Sequence, residues 1–151
     1  MATTKLSKNF TLEELINSPT AKSKKINNKP NKEVIENLTN LAQNILQPIR
    51  DKWNAPIVIT SGYRSVELNK AVGGSPTSQH RTGDAADIRT KSDEEIDNLA
   101  LFNMIKRMIE EAKIVVGQLI WQYGTKNGPD WIHVSNPSNK HKNQVLRIKR
   151  K

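Results

Sequence analysis

Residues 78–89 read Ser78-Gln-His-Arg-Thr-Gly-Asp-Ala-Ala-Asp-Ile-Arg89, and the stretch changes character half-way along. Its first part closes a run over 73–83 rich in Gly, Ser, Pro and Thr, which reads as a loop. From Ala85 the residues become small and apolar, and Ala85–Arg89 reads as extended chain returning to a sheet. Just before the loop, Pro56-Ile-Val-Ile-Thr60 is a β-branched run bounded by a turn signal. It predicts a strand buried on both faces or nearly so. Ser65 can cap a short helix over 66–72, which Gly73-Gly74 terminates.

Working outward, helices dominate the N-terminal side. Thr11-Leu-Glu-Glu14 is a capping-box pattern for a short helix that ends by Ser18-Pro19. Residues 20–30 are rich in Lys and Asn and predict an exposed loop. Asn31 can cap a longer helix, whose apolar residues recur from Val34 and Ile35 through Leu38, Leu41, Ala42, Ile45 and Leu46 to Ile49. Those gaps of three and four make one buried face, and Pro48 should kink or loosen it. On the C-terminal side, Ser92-Asp-Glu-Glu95 predicts a second capping box. The helix it opens runs to about Ala112, with Leu99, Phe102, Met104, Ile105, Met108 and Ile109 at helical spacing. Strands follow over 115–123, 131–135 and 143–148. Helices first, then mixed strands and helices, predict a single α+β domain over 1–151.

The bulk numbers narrow the chemistry. A chain of 151 residues suits one domain. It has no cysteine, so any metal must sit on His, Asp or Glu. Lys and Arg number 24 against 15 Asp and Glu, for a net charge of +9. The last twelve residues hold six Lys/Arg and no acid, which predicts a flexible basic tail over about 140–151. Such charge attracts polyanions: nucleic acid, anionic lipid or wall polymers. Nucleic acid is not expected, because no aromatic-and-basic groove signature and no reading helix stand out. The N-terminus lacks the apolar core of a secretory signal, and no stretch is apolar and long enough for a membrane span. The expectation is a soluble monomer, cytoplasmic at synthesis.

Histidine is scarce: His80, His133 and His141. Asp87 follows His80 by seven, across a segment whose Gly83 lets the chain turn sharply. His133 lies in Trp131-Ile-His-Val-Ser135, where alternation points Ile132 and Val134 to the face opposite His133. Two imidazoles and one carboxylate suit a hydrolytic zinc, which needs three protein ligands and one open position. They also match the ligand types of a redox-active iron, and a His between apolar residues is more often a hydrogen-bonded structural group. Spacing alone leaves these readings open. His141 falls in the basic tail and is expected to be solvated. Trp121, Tyr123 and Trp131 could stack on a substrate, but aromatics at such positions are more often core.

Four segments taken together closely resemble the zinc D-alanyl-D-alanine carboxypeptidase family. They are Ser61-Gly-Tyr-Arg-Ser65, Leu68-Asn-Lys-Ala-Val-Gly-Gly-Ser75, Ser78 through Ile88, and Trp131-Ile-His-Val-Ser135. Phe10-Thr-Leu-Glu-Glu-Leu15 also looks like that family's opening. The resemblance implies the fold shared with the Hedgehog signalling domain, a small mainly antiparallel sheet with N-terminal and flanking helices. It implies one Zn2+ per chain on His80, Asp87 and His133. It implies Arg64 near the metal, steadying substrate or a developing oxyanion, with a structural ion pair as the alternative. Ser78 and Gln79 would orient the loop or bind substrate. Asp130, three residues before His133, would be the general base, unless it is only a turn residue after Gly128-Pro129; Asp84 is a second candidate. The implied substrate is a peptidoglycan peptide, cut by a carboxypeptidase or endopeptidase, and a phage lysin or tail component fits a protein without its own export signal. The sequence departs from the branch it most resembles at Gly117 and Gln122, where acids are common. Those departures keep open an inactive, zinc-stabilised wall-binding or interaction module.

Overall fold

A computed structural model describes residues 3–149. The N-terminal layer is helical: α1 (Leu12–Ile16), α2 (Pro19–Lys24), α3 (Lys32–Leu41) and α4 (Gln47–Trp53). The Thr11/Glu14 capping box forms with both of its hydrogen bonds. Asn31 caps α3 by accepting from the Val34 N–H at 2.9 Å. The expected loop at 20–30 is in part a helix. Ser18 accepts from the Ala21 N–H and Pro19 takes the first position of α2, where a missing N–H costs nothing. Lys and Asn content obscured that start.

Pro48 has the effect its chemistry requires. Proline offers no N–H to a carbonyl four residues back, and the chain between α3 and α4 widens into a π-helical turn, Ala42–Leu46. The widened turn keeps Leu41, Ala42, Ile45, Leu46 and Ile49 on one face, all buried. Ile35 lies at the edge of that face and is only half-buried.

The sheet contains β1 (Ile57–Ser61), β2 (Ala85–Thr90), β3 (Gln118–Gln122), β4 (Trp131–Ser135) and β5 (Gln144–Ile148), in the order β1-β2-β4-β3-β5. All pairs are antiparallel except β3 with β5. The molecule is therefore α+β with a mainly antiparallel sheet. β1 is an edge strand and its residues are mostly half-buried, not buried on both faces as its composition suggests. The basic C-terminal segment supplies β5 rather than a free tail up to Ile148; Arg150 and Lys151 lie outside the described residues. None of the helices among the described residues is long and apolar enough to cross a membrane.

Two further helices complete the fold. α5 (Val66–Ala71) is capped by Ser65. α6 (Glu95–Glu110) packs Leu101, Phe102, Ile105 and Met108 into the core. The second capping box does not form, because Ser92 donates to Asp97 and accepts from the Glu94 N–H instead. Buried Asn98 organises this end. Its Oδ1 accepts from the Thr90 N–H and hydroxyl, and its Nδ2 donates to the carbonyls of Pro129 and Asp130 at 3.1 and 3.3 Å.

Candidate metal centre

The register of β2 against β4 builds half of the site. Asp87 stands directly opposite His133, and opposed residues of an antiparallel pair project to the same face. Their side chains meet there, with His133 Nδ1 3.0 Å from Asp87 Oδ1. Ile132 and Val134 are fully buried on the other face, as strand alternation predicts.

His80 arrives from a different element. Residues 79–82 form a single 3-10 turn. Ser78 caps it by accepting from the His80 N–H. Gly83 closes it at φ +78°, pressed against Val34 of α3 where a Cβ would crowd the Val34 carbonyl. The turn delivers His80 Nε2 to 3.3 Å from the same Asp87 oxygen, while His80 Nδ1 lies 2.8 Å from the Gly62 carbonyl. A ring nitrogen bonded to a backbone carbonyl carries the proton, which leaves Nε2 as the free donor lone pair. The Gly62 backbone can come that close because Gly62 itself packs on the Leu15 carbonyl with no room for a side chain.

The donor set fits a metal ion. His80, Asp87 and His133 are all buried, each offers one ligand atom, and those atoms lie within 4.8 Å of one another. Burial works against the Asp87 carboxylate, but the imidazoles of His80 and His133 outweigh it and hold its pKa well below the ordinary carboxylate range. A depressed carboxyl pKa stabilises the fold above the unfolded value, about 4, and that contribution is lost as pH falls below it. The metal-free protein should therefore weaken on the acid side of about pH 4. Asp87→Asn should flatten that limb, as read from denaturant midpoints against pH.

Arg64 faces the other Asp87 oxygen, with Nη2 3.6 Å from Oδ2. Its Nε donates to Ser61 Oγ and its Nη1 to Asn69 Oδ1, both at 3.1 Å. Asn69 is buried and in turn donates to the Ser75 carbonyl. Burial draws the Arg64 pKa down and Asp87 pulls it up; a guanidinium keeps its charge in either case. The ion-pair role considered for Arg64 is thus present, and its side chain also lines the cavity above the three candidate ligands.

That cavity is open, about 610 Å³, and Ser78 and Gln79 line it together with Arg64. Tyr123 and Trp131 line it too, their rings edge to face at 5.2 Å. Trp121 instead packs in the core against Phe102, with Arg147 over its ring. His141, expected to be solvated, also lines the cavity and is half-buried. Asp130 lines a neighbouring cavity with Thr60, Arg89, Asp93, Glu95 and Pro129; Trp131 borders both. Asp84 is tied into the loop, accepting from Thr82 and Asn136.

The two departures lie in different surroundings. Gln122 lines the cavity. Gly117 does not have space for an acid: a Cβ there would run into the Asn136 carbonyl and Ser135 Oγ. Gly117→Asp should therefore destabilise the fold by about 1–3 kcal/mol, the scale of overpacking, rather than raise turnover, as a denaturant melt beside an activity assay would show.

Among curated proteins, none matches the chain. The sequence profile of the family described as Peptidase M15 matches residues 8–135. That span takes in α1 through β4, both sides of the β2–β4 pair, the turn that carries His80, and Arg64. The chain belongs to the peptidase M15 family, whose members resemble zinc D-alanyl-D-alanine carboxypeptidases.

Proposed function

We propose that this peptidase holds one zinc ion on His80, Asp87 and His133 and hydrolyses an amide bond in bacterial peptidoglycan peptides. The observation that carries the reading is the convergence of three buried donors at the base of an open cavity. Two neutral imidazoles and one carboxylate leave a divalent ion with net charge near +1. When bound, such an ion supplies Lewis acidity to the scissile carbonyl and to the attacking water. The chain's own groups do the rest. Arg64, fixed by Ser61, Asn69 and Asp87, holds the carboxylate ligand in place and presents a positive charge where an oxyanion develops. Ser78 and Gln79 offer hydrogen bonds along the cavity wall. Asp130 is proposed as the base that takes a proton from water and delivers it to the leaving amine. Its support is its place three residues before His133 and the Trp131 wall that its cavity shares with the site.

The positive net charge favours encounter with anionic wall polymers. A phage-borne lysin acting as a monomer is the version expected from sequence, and lysis of intact cells by added protein tests it. Digestion of purified peptidoglycan tests the core reading: new amines or free D-alanine should appear only with the metal-loaded protein. Because metal ligation needs neutral imidazoles, protons compete with zinc. Zinc content measured after dialysis should therefore fall as pH is lowered from neutral.

Two features favour a second reading. Asp130 lines the neighbouring cavity, and Gln122 lines the site at a position where the resembled branch commonly carries an acid, which suits a zinc-stabilised wall-binding module without turnover.

A further inference from the structure

His141 has no part in the chemistry above, yet it faces the same cavity as the three candidate ligands. It comes from a segment beyond residue 135, where the family match ends. That segment is fastened at both ends. Asn136 donates from Nδ2 to the Asn37 carbonyl and to Asp84, each at 3.0 Å. Asn143 exchanges hydrogen bonds with Val116, accepting from its N–H at Oδ1 and donating its own N–H to its carbonyl. Between these anchors, Ser138 and His141 close a turn on each other through two hydrogen bonds. The ring of His141 is therefore carried on a braced loop.

The electrostatics of the cavity select what this loop can meet. Asp87 is the one carboxylate among the described lining residues, and Arg64 stands 3.6 Å from it. The remaining polar groups of the wall are hydroxyls and amides, including Gln118, whose side chain is pinned by a bond to Gln144. With Arg64 paired to Asp87, a divalent ion on the three donors would leave the site net positive. Such a wall accepts a carboxylate readily and offers no counter-charge to an ammonium group. An imidazole can donate an N–H to a carboxylate whether neutral or charged.

We propose that His141 is a specificity-determining residue that receives a carboxylate-bearing arm of the peptide substrate. This rests on the peptidase reading above and names the substrate chemistry of the same site. The test uses the full-length, zinc-loaded protein and two stem peptides that differ only in a free carboxylate or its carboxamide beside the cut bond. His141→Ala should raise KM for the acid peptide about tenfold, the size of one hydrogen bond to a charged group. Its kcat should stay within about twofold, and its KM for the amide peptide should hardly move. His141→Gln, which keeps an N–H donor, should recover part of the loss. Independently, the His141 imidazole NMR signal, assigned by its absence in His141→Ala, should shift on adding the acid peptide and not the amide. Equal effects of His141→Ala on both peptides, or a silent His141 signal at saturating acid peptide, would overturn the proposal. If wild type cleaves neither peptide, the peptidase reading fails, and the NMR arm alone decides the subsite by the same shift.

Discussion

Replacing His80 with alanine is expected to take zinc content from about one ion per chain to near zero and to abolish hydrolysis. His80 supplies one of three converging donors, and its 3-10 turn contributes no second His, Cys, Asp or Glu to that cluster. Loss of a direct ligand should exceed the roughly 10–100-fold effects seen when only an outer partner of a ligand is removed. Arg64→Ala serves as that milder comparison, since Arg64 pairs with the candidate ligand Asp87 and is not one of the three converging donors. The same experiment has a stability readout. Zinc at a thousandfold over its Kd should stabilise wild type by about 4 kcal/mol, and His80→Ala should gain almost nothing. Metal analysis and paired denaturant melts give both numbers. A variant that keeps full zinc would remove His80 from the site.

Asp130→Ala is expected to lower kcat by about 10²–10⁴, the range for removal of a general base, while zinc content stays at the wild-type level. The split between metal and turnover is what makes the variant informative. Asn98 grips the Pro129 and Asp130 carbonyls, and Asp130→Ala leaves both of those backbone hydrogen bonds in place. Structural collapse is therefore not the expected cause of any loss, and a melt can verify this. Unchanged turnover in Asp130→Ala would move the base elsewhere. Absence of turnover in wild type, with zinc bound, would favour the wall-binding module.

The parts of the molecule that were legible in sequence are those encoded by short-range pattern. Thr11 and Asn31 announce their helices because a cap is a contact over three residues. The candidate ligands came from the resemblance to the zinc carboxypeptidases, since the scarcity of histidine and the strand alternation around His133 left other readings open; the fold brings the three donors within 4.8 Å of one another. What escaped depends on long-range partners. His141 looked solvated between two lysines; long-range bonds, among them those of Asn136 to Asn37 and Asp84 and of Asn143 to Val116, hold its loop at the cavity. Asn98 read as one polar residue in a helix, yet it joins β2 to the turn before β4. Ser92-Asp-Glu-Glu95 matched a capping pattern, but the nearby Asp97 captured the Ser92 hydroxyl. β1 had the composition of a central strand and sits at the edge, a matter of sheet order that composition does not encode.

The opposition of Asp87 and His133 across β2 and β4 also bears on how the protein assembles. The two residues are 46 apart in sequence, so an unfolded chain holds no ready-made pair of donors. A slip of one residue in pairing would turn His133 toward the apolar face. The ion can be captured only after that distant pairing has formed in one alignment, so metal uptake acts as a clock for it. During refolding, a zinc-sensitive dye should lose its metal in step with the slow arrival of native β-sheet signal, well after the local helices at 32–53 have appeared.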